Sequence, residues 1–378
     1  MPKPLVSVVP VMVLICMLLL VFRPSGCYAR PDSSAGTELP VAIIVRSTPD
    51  AEYQSVLWIR SEKWKDSFKR AAVVRASDRA PRTDITLVIQ QDGQEKTYLV
   101  DSHANLVDMQ AGEMLILPRE AKHELIHYTD GLRNVHYGKM LHWNEVKKVL
   151  PKKSVFTVID PETGLEFQVQ RRAGSHHADV QPLTKQDTAT MKQIYGGKWS
   201  WKRKAVLVRK DGQYLAASMN GMPHGGDGIP GNGFRGHFCI HFLGSSTHRS
   251  GKVDLAHQFM VHQAAGQLDR LLRETSPYTV AEAFFLAVNQ QDRELVRRLL
   301  SEEQFLRMEP FLNQIRSVQV LSRPEPEDWT HLLIIELPYT ASVARTGSGA
   351  EEIRFTLHLR RASFMDPWLI EGIHMVLR

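Results

Sequence analysis

The chain has 378 residues, 43% hydrophobic and 23% charged, which are the proportions of an ordinary globular protein. That length suits two or three domains whose cores need no staples. A net charge of +6 fits an anionic partner such as a wall polymer, a lipid surface or nucleic acid, but so small an excess serves solubility as well and does not choose among them.

The amino terminus sets the expected compartment. Lys3 precedes a run from Leu5 to Phe22 that carries no charge, and Arg23-Pro24-Ser25-Gly26-Cys27-Tyr28-Ala29 follows. This is the pattern of a signal peptide or a short membrane anchor, with small residues at Cys27 and Ala29 for a signal peptidase to read. Residues 1–29 are therefore expected to send the rest out of the cytoplasm, as a secreted or membrane-anchored protein of the cell envelope that meets the membrane only here. Cys16 and Cys27 belong to this segment, so cleavage after Ala29 leaves Cys239 alone. A lone thiol in an exported chain is intermolecular, inertly buried, or reactive.

Residues 30–150 read as a polar linker followed by a mixed α/β module. Val41–Val45 and Val56–Ile59 are strand-like, and Ile85–Ile89 and Tyr98–Val100 flank a hairpin turn at Gln91-Asp92-Gly93-Gln94. A helical stretch is expected over Glu113–Val149, interrupted at Pro118 and Gly131. Within it, His123-Glu124-Leu125-Ile126-His127 has the letters of a zinc-hydrolase helix, against the plainer reading of a solvated helix face.

Residues 151–275 form the next unit. Strands Val155–Ile159 and Leu165–Gln170 flank the turn Asp160-Pro161-Glu162-Thr163-Gly164. The polar knot Ser175-His176-His177-Ala178-Asp179 precedes a helix opened by a Thr184/Asp187 capping box, and a hairpin over Ala205–Met219 turns at Asp211-Gly212. The segment Met219–Phe242 then reads as a strand ending near His224, a glycine-rich loop, and a strand carrying His237, Cys239 and His241. Side chains two apart on a strand share a face, so the thiol is flanked by imidazoles, the raw material of a Cys-His nucleophilic site. The loop glycines allow backbone amides to approach a carbonyl oxygen, a contribution of ~3 kcal/mol per donor in acyl transfer. His177 and Asp179 are expected to line the same cleft or to bond within their turn. Residues 276–378 read as helices followed by a long antiparallel meander, a helix packed in a curved sheet.

His224-Gly225, a glycine-containing spacer, and His237-Phe238-Cys239-Ile240 together resemble the L,D-transpeptidase (YkuD-like) catalytic domain, over roughly residues 152–270. The resemblance implies Cys239 as nucleophile, His224 as its base oriented by a carbonyl near Gly225, and His237 as the family's second histidine. It places Gly225, Gly236, Phe238 and His241 at orienting or oxyanion positions. Gly236 stands where the family has Ser or Thr, Phe238 where it has glycine, and His241 where it has Arg or Asn. The meander after residue 276 resembles, by pattern only, the cone-shaped nuclear-transport-factor-2-like domains. The resulting expectation is a multidomain α+β protein, with a mainly β catalytic domain followed by an α+β cone. Its activity would be acyl transfer on peptidoglycan stem peptides through a thioester on Cys239. The implied partner is peptidoglycan or another wall polymer, with no nucleic acid, no cofactor and no metal. A catalytically silent wall-binding protein, a thiol carboxypeptidase and a zinc hydrolase are the competing readings.

Overall fold

The computed structural model describes residues 40–377 apart from 78–79, 92–93, 227 and 248–250, so the expected signal or anchor segment lies outside the described residues. The chain is mixed α and β, with three antiparallel sheets laid out in sequence order. The first contains β1 (Pro40–Arg46), β2 (Gln54–Arg60), β3 (Ala72–Arg75), β4 (Ile85–Gln91), β5 (Gln94–Val100), β6 (Leu106–Asp108) and β7 (Glu113–Ile116), in spatial order β2-β1-β4-β5-β6-β7-β3, with α1 (Glu62–Lys69) after β2. Strand alternation puts Val41, Ile43 and Val45 on one face with Ile85, Leu87 and Ile89. Helix α2 (Arg119–His136) covers that face with Ala121, Leu125 and Leu132.

Two expectations need correction here. Glu113–Ile116 is a strand, because it pairs with β3 and β6. Helix α2 also runs straight through Gly131, since packing of its buried face outweighs the roughly 1 kcal/mol that a helical glycine costs. The following α3 (Trp143–Val149) turns away from this sheet, and Trp143, Val146 and Leu150 join the core of the next unit.

That unit is a closed six-stranded barrel of β8 (Val155–Ile159), β9 (Glu166–Ala173), β10 (Ala178–Pro182), β11 (Arg203–Lys210), β12 (Gln213–Asn220) and β13 (Phe238–His241), in order β10-β13-β12-β11-β8-β9. Its interior is filled by Phe156, Val158, Phe167, Val169, Val206, Val208, Leu215, Ala217, Met219, Phe238 and Ile240. Helix α4 (Lys185–Ile194) starts at the expected capping box, in which the Thr184 hydroxyl and the Asp187 carboxylate satisfy each other's backbone amides. Helices α5 (Leu255–Ala264) and α6 (Leu268–Glu274) lie outside the barrel.

Helices α7 (Pro277–Gln290), α8 (Arg293–Leu299) and α9 (Glu302–Gln314) precede an open sheet of β14 (Ile315–Ser322), β15 (Ile334–Arg345), β16 (Ala350–Arg360) and β17 (Leu369–Leu377), in that spatial order. Helix α7 packs on the sheet through Phe285, whose ring lies 5.0 Å from Tyr339 and 5.2 Å from Phe355. Helix α9 continues through Pro310, and its Phe305 and Met308 are buried in the common core. Phe259, Met260, Leu268 and Leu272 of α5 and α6 belong to this last apolar cluster, so one core runs from the barrel's covering helices to the carboxy-terminal sheet. Among the described residues no helix is long and apolar enough to cross a membrane.

Candidate active site

Strand β13 divides its side chains between the two sides of the barrel wall. Phe238 and Ile240 point into the apolar interior, so Cys239 and His241 face outward, toward α5. Asp179 of β10 pairs directly opposite Cys239, and Ser218 of β12 opposite His241. Neighbouring strands thus place a carboxylate beside the thiol.

His224 arrives from the loop after β12. Its amide donates to the His237 carbonyl at 2.9 Å, and the His237 amide returns a bond to the His224 carbonyl at 2.8 Å, a two-residue ladder that clips the loop's ends together. Both flanking glycines are required by geometry. Gly236 has φ +82°, and a Cβ there would overlap the His224 carbonyl oxygen; Gly225 has φ +70°, and a Cβ there would overlap the His237 ring. The rest of the loop is pinned by buried amide side chains. The Ile229 amide donates to Gln181 Oε1 at 2.6 Å, while Gln181 Nε2 donates to the Gly236 carbonyl. Asn232 donates to the Pro182 carbonyl and accepts from the Phe234 amide, both at 2.8 Å.

Within this frame Cys239 Sγ lies 3.3 Å from His224 Nε2, and His224 Nδ1 lies 2.8 Å from the carbonyl oxygen of Met222. The orienting carbonyl is therefore that of Met222, on the near side of Pro223, rather than one beside Gly225. Behind the thiol, His177 Nε2 is 3.2 Å from Asp179 Oδ1, and His177 Nδ1 is 2.8 Å from the Ser246 carbonyl oxygen. His237 Nε2 is 3.9 Å from the same carboxylate, and its ring is 4.5 Å from that of His224. The half-exposed Trp201 ring, 4.9 Å from His224, forms the outer lip.

The electrostatics follow from these contacts. Burial alone would push the Cys239 thiol up, but His177 and His224 hold it below its ordinary value. The bond to Cys239 raises His224 despite its partial burial. Burial would lower His177, yet Asp179 and Cys239 hold it up at about 10. His241 is driven well down by burial and by its neighbour His257, and remains neutral. It is stacked between His177 at 4.4 Å and His257 at 3.7 Å, and His257 Nδ1 is 2.8 Å from the Ser218 hydroxyl.

Several expected roles change accordingly. Phe238 does not line the site, because it is fully buried inside the barrel, with its ring 6.2 Å from Phe167 and 5.8 Å from Phe234. His241 is not a solvent-facing orienter but the middle ring of a buried stack. Gly225 and Gly236 act sterically, and the amides of His224, His237, Ile229 and Phe234 are spent within the loop, so none of these four is free to hold an oxyanion. His177 and Asp179, by contrast, stand at the thiol itself. His257 joins the group from α5, stacked on His241 at 3.7 Å, with no local sequence signal to mark it.

His177, Cys239 and His241 each offer a ligand atom within 4.8 Å of the others, and so do His224, His237 and Cys239. Either set has zinc-type donors, but each uses the same sulfur, so an ion there and a free nucleophile exclude each other. The letters of the zinc-hydrolase motif assemble nothing comparable. His123 and His127 are exposed on α2, Glu124 bonds Lys63 at 3.0 Å and Tyr128 at 3.1 Å, and the two sets above are the only such groups among the described residues. No family model, curated protein or solved structure matches this chain.

Proposed function

We propose that this chain is an exported cysteine-dependent acyltransferase of L,D-transpeptidase type, acting on peptidoglycan stem peptides. The observation that carries the reading is the Cys239–His224 pair at 3.3 Å, with the far nitrogen of His224 anchored on the Met222 carbonyl. A ring so anchored keeps its proton on Nδ1 and turns Nε2 toward sulfur, the arrangement of a thiol with its base. The Cys239 thiol gives its proton to His224 Nε2 as the sulfur attacks a stem-peptide carbonyl, the C–N bond to D-Ala breaks, and the departing amine takes that proton from Nε2. The amine of a neighbouring stem, losing a proton to His224 Nε2, then attacks the thioester carbonyl, the C–S bond breaks, and the sulfur takes that proton to restore the Cys239 thiol and the neutral ring. The burial of Phe238 supports an active site over a silent wall-binding protein, since the bulk at that position points away from the thiol.

The test is incubation of the purified protein with disaccharide-tetrapeptide, followed by mass spectrometry of the products. Release of D-Ala with an equal amount of new cross-linked product, lost in Cys239→Ala, is expected. Release of D-Ala without cross-links would make the protein a carboxypeptidase. No release from folded protein would contradict acyl transfer.

A further inference from the structure

Two sets of metal-type donors share the sulfur of Cys239, and their geometry separates them. In the first, the His177 and His241 rings are stacked at 4.4 Å and only 14° from parallel. An imidazole offers its lone pair in the plane of the ring, so stacked rings aim past one another. All three residues of that set are buried, away from the solvent that would supply a fourth ligand. In the second, the His224 and His237 rings meet at 60° with centroids 4.5 Å apart, and both residues are partly exposed. Rings at that angle can turn their lone pairs toward one point, and water can reach it.

The backbone preorganises this second set. His224 and His237 lie directly opposite one another across the two-residue ladder, so their side chains share a face, and Cys239 follows His237 by two positions. Gly225 leaves clear the space that the His237 ring occupies. The Met222 carbonyl holds His224 Nδ1, which turns Nε2 toward the sulfur at 3.3 Å. A tetrahedral zinc ion, about 2.3 Å from sulfur and about 2.0–2.1 Å from nitrogen, sets two such donors about 3.5 Å apart. A ring N–H given to a backbone carbonyl is also what orients a metal-bound histidine. The Asp179 carboxylate, opposite Cys239 on β10 and 3.9 Å from His237 Nε2, adds negative charge beside the position of a cation.

We propose that His224, His237 and Cys239 form a site for a thiophilic divalent cation, with zinc the best fit and water as the fourth ligand, and that the bound ion holds the acyl-transfer site off. On binding, a metal–sulfur bond forms at Cys239 and the thiol proton leaves to solvent. The nucleophile and its base are then both occupied, and removal of the ion restores both. The site stands on the donor geometry alone. Only its effect on turnover rests on the acyl-transfer reading.

The test titrates the metal-free protein with Zn2+ against a chromophoric chelator, and separately with Co2+, whose absorption reports thiolate ligation and tetrahedral geometry. One ion per chain, a sulfur-to-cobalt charge-transfer band, and protection of Cys239 from iodoacetamide that EDTA reverses are expected. Cys239→Ser should abolish the charge-transfer band, and His237→Gln should weaken zinc binding at least about tenfold. His241→Gln, which removes a donor of the other set, and His123→Gln, on the exposed face of α2, should bind zinc as the parent does. One equivalent of zinc should suppress D-Ala release, and EDTA should restore it. No stoichiometric binding, cobalt bands without a sulfur contribution, or affinity lost in folded His241→Gln but kept in His237→Gln would overturn the site. D-Ala release that survives zinc or requires it would overturn the off state. If the metal-free protein releases no D-Ala, the acyl-transfer reading fails, and the binding results still decide the site.

Discussion

At Gly236 the backbone turns through φ +82° so that the His237 amide can reach the His224 carbonyl, and the space a side chain would need is filled by that carbonyl. Gly236→Ala must therefore break the two-residue ladder or adopt a strained backbone. The expected cost is about 1–3 kcal/mol in stability, read by thermal unfolding. Because His224 is carried by the same ladder, the loss of D-Ala release should exceed what the stability change explains. Gly226→Ala in the same loop is the matched control: nothing lies within 4 Å of its Cβ position, and stability and turnover should both stay near those of the parent. The glycine-rich stretch thus combines Gly225 and Gly236, where a side chain would collide, with Gly231 and Gly233, whose positive φ favours glycine in open space, and Gly226, which the loop merely tolerates.

At the scale of elements, β13 does most to assemble the site, and its contribution was legible in the letters. Residues 237, 239 and 241 alternate with apolar 238 and 240, and that alternation alone sends Phe238 inward once Cys239 faces out. The capping box of α4 and the strands around the Asp160–Gly164 turn were legible for the same local reason. What local pattern cannot show is register between strands far apart in sequence. The pairing of Asp179 with Cys239 spans sixty positions, and the approach of His257 depends on how α5 lies across the barrel. The strand character of Glu113–Ile116 was hidden by the helix that follows it. The loop itself is held by Asn232, 2% exposed, whose side chain bonds Pro182 and Phe234 and whose carbonyl accepts from the Thr188 hydroxyl at 2.8 Å. Asn232→Ala leaves buried groups without partners and should cost about 1–3 kcal/mol. Faster hydrogen exchange at residues 224–237, with the exchange of β8 and β9 unchanged, is the expected signature.

Over the whole molecule, the barrel does not support the site by itself. Helix α5 sends His257 to the histidine stack on one side and Phe259 and Met260 into the carboxy-terminal core on the other, so the cluster built on α7 and the last sheet steadies the wall behind the thiol. The first sheet joins through the segment after α2, where Lys139 donates to the Tyr214 carbonyl at 2.7 Å and accepts from the Ala216 amide at 3.0 Å. The first sheet and the carboxy-terminal core thus both join the barrel, and the proposed chemistry is concentrated at the sulfur of Cys239. The most direct test of that claim is the intact mass of the protein after incubation with a carbapenem, a β-lactam that acylates L,D-transpeptidase-type thiols. A stoichiometric adduct located on Cys239, absent from Cys239→Ala and slowed at least tenfold in His224→Gln, is the predicted result; an unmodified mass, or an adduct that survives Cys239→Ala, would contradict it.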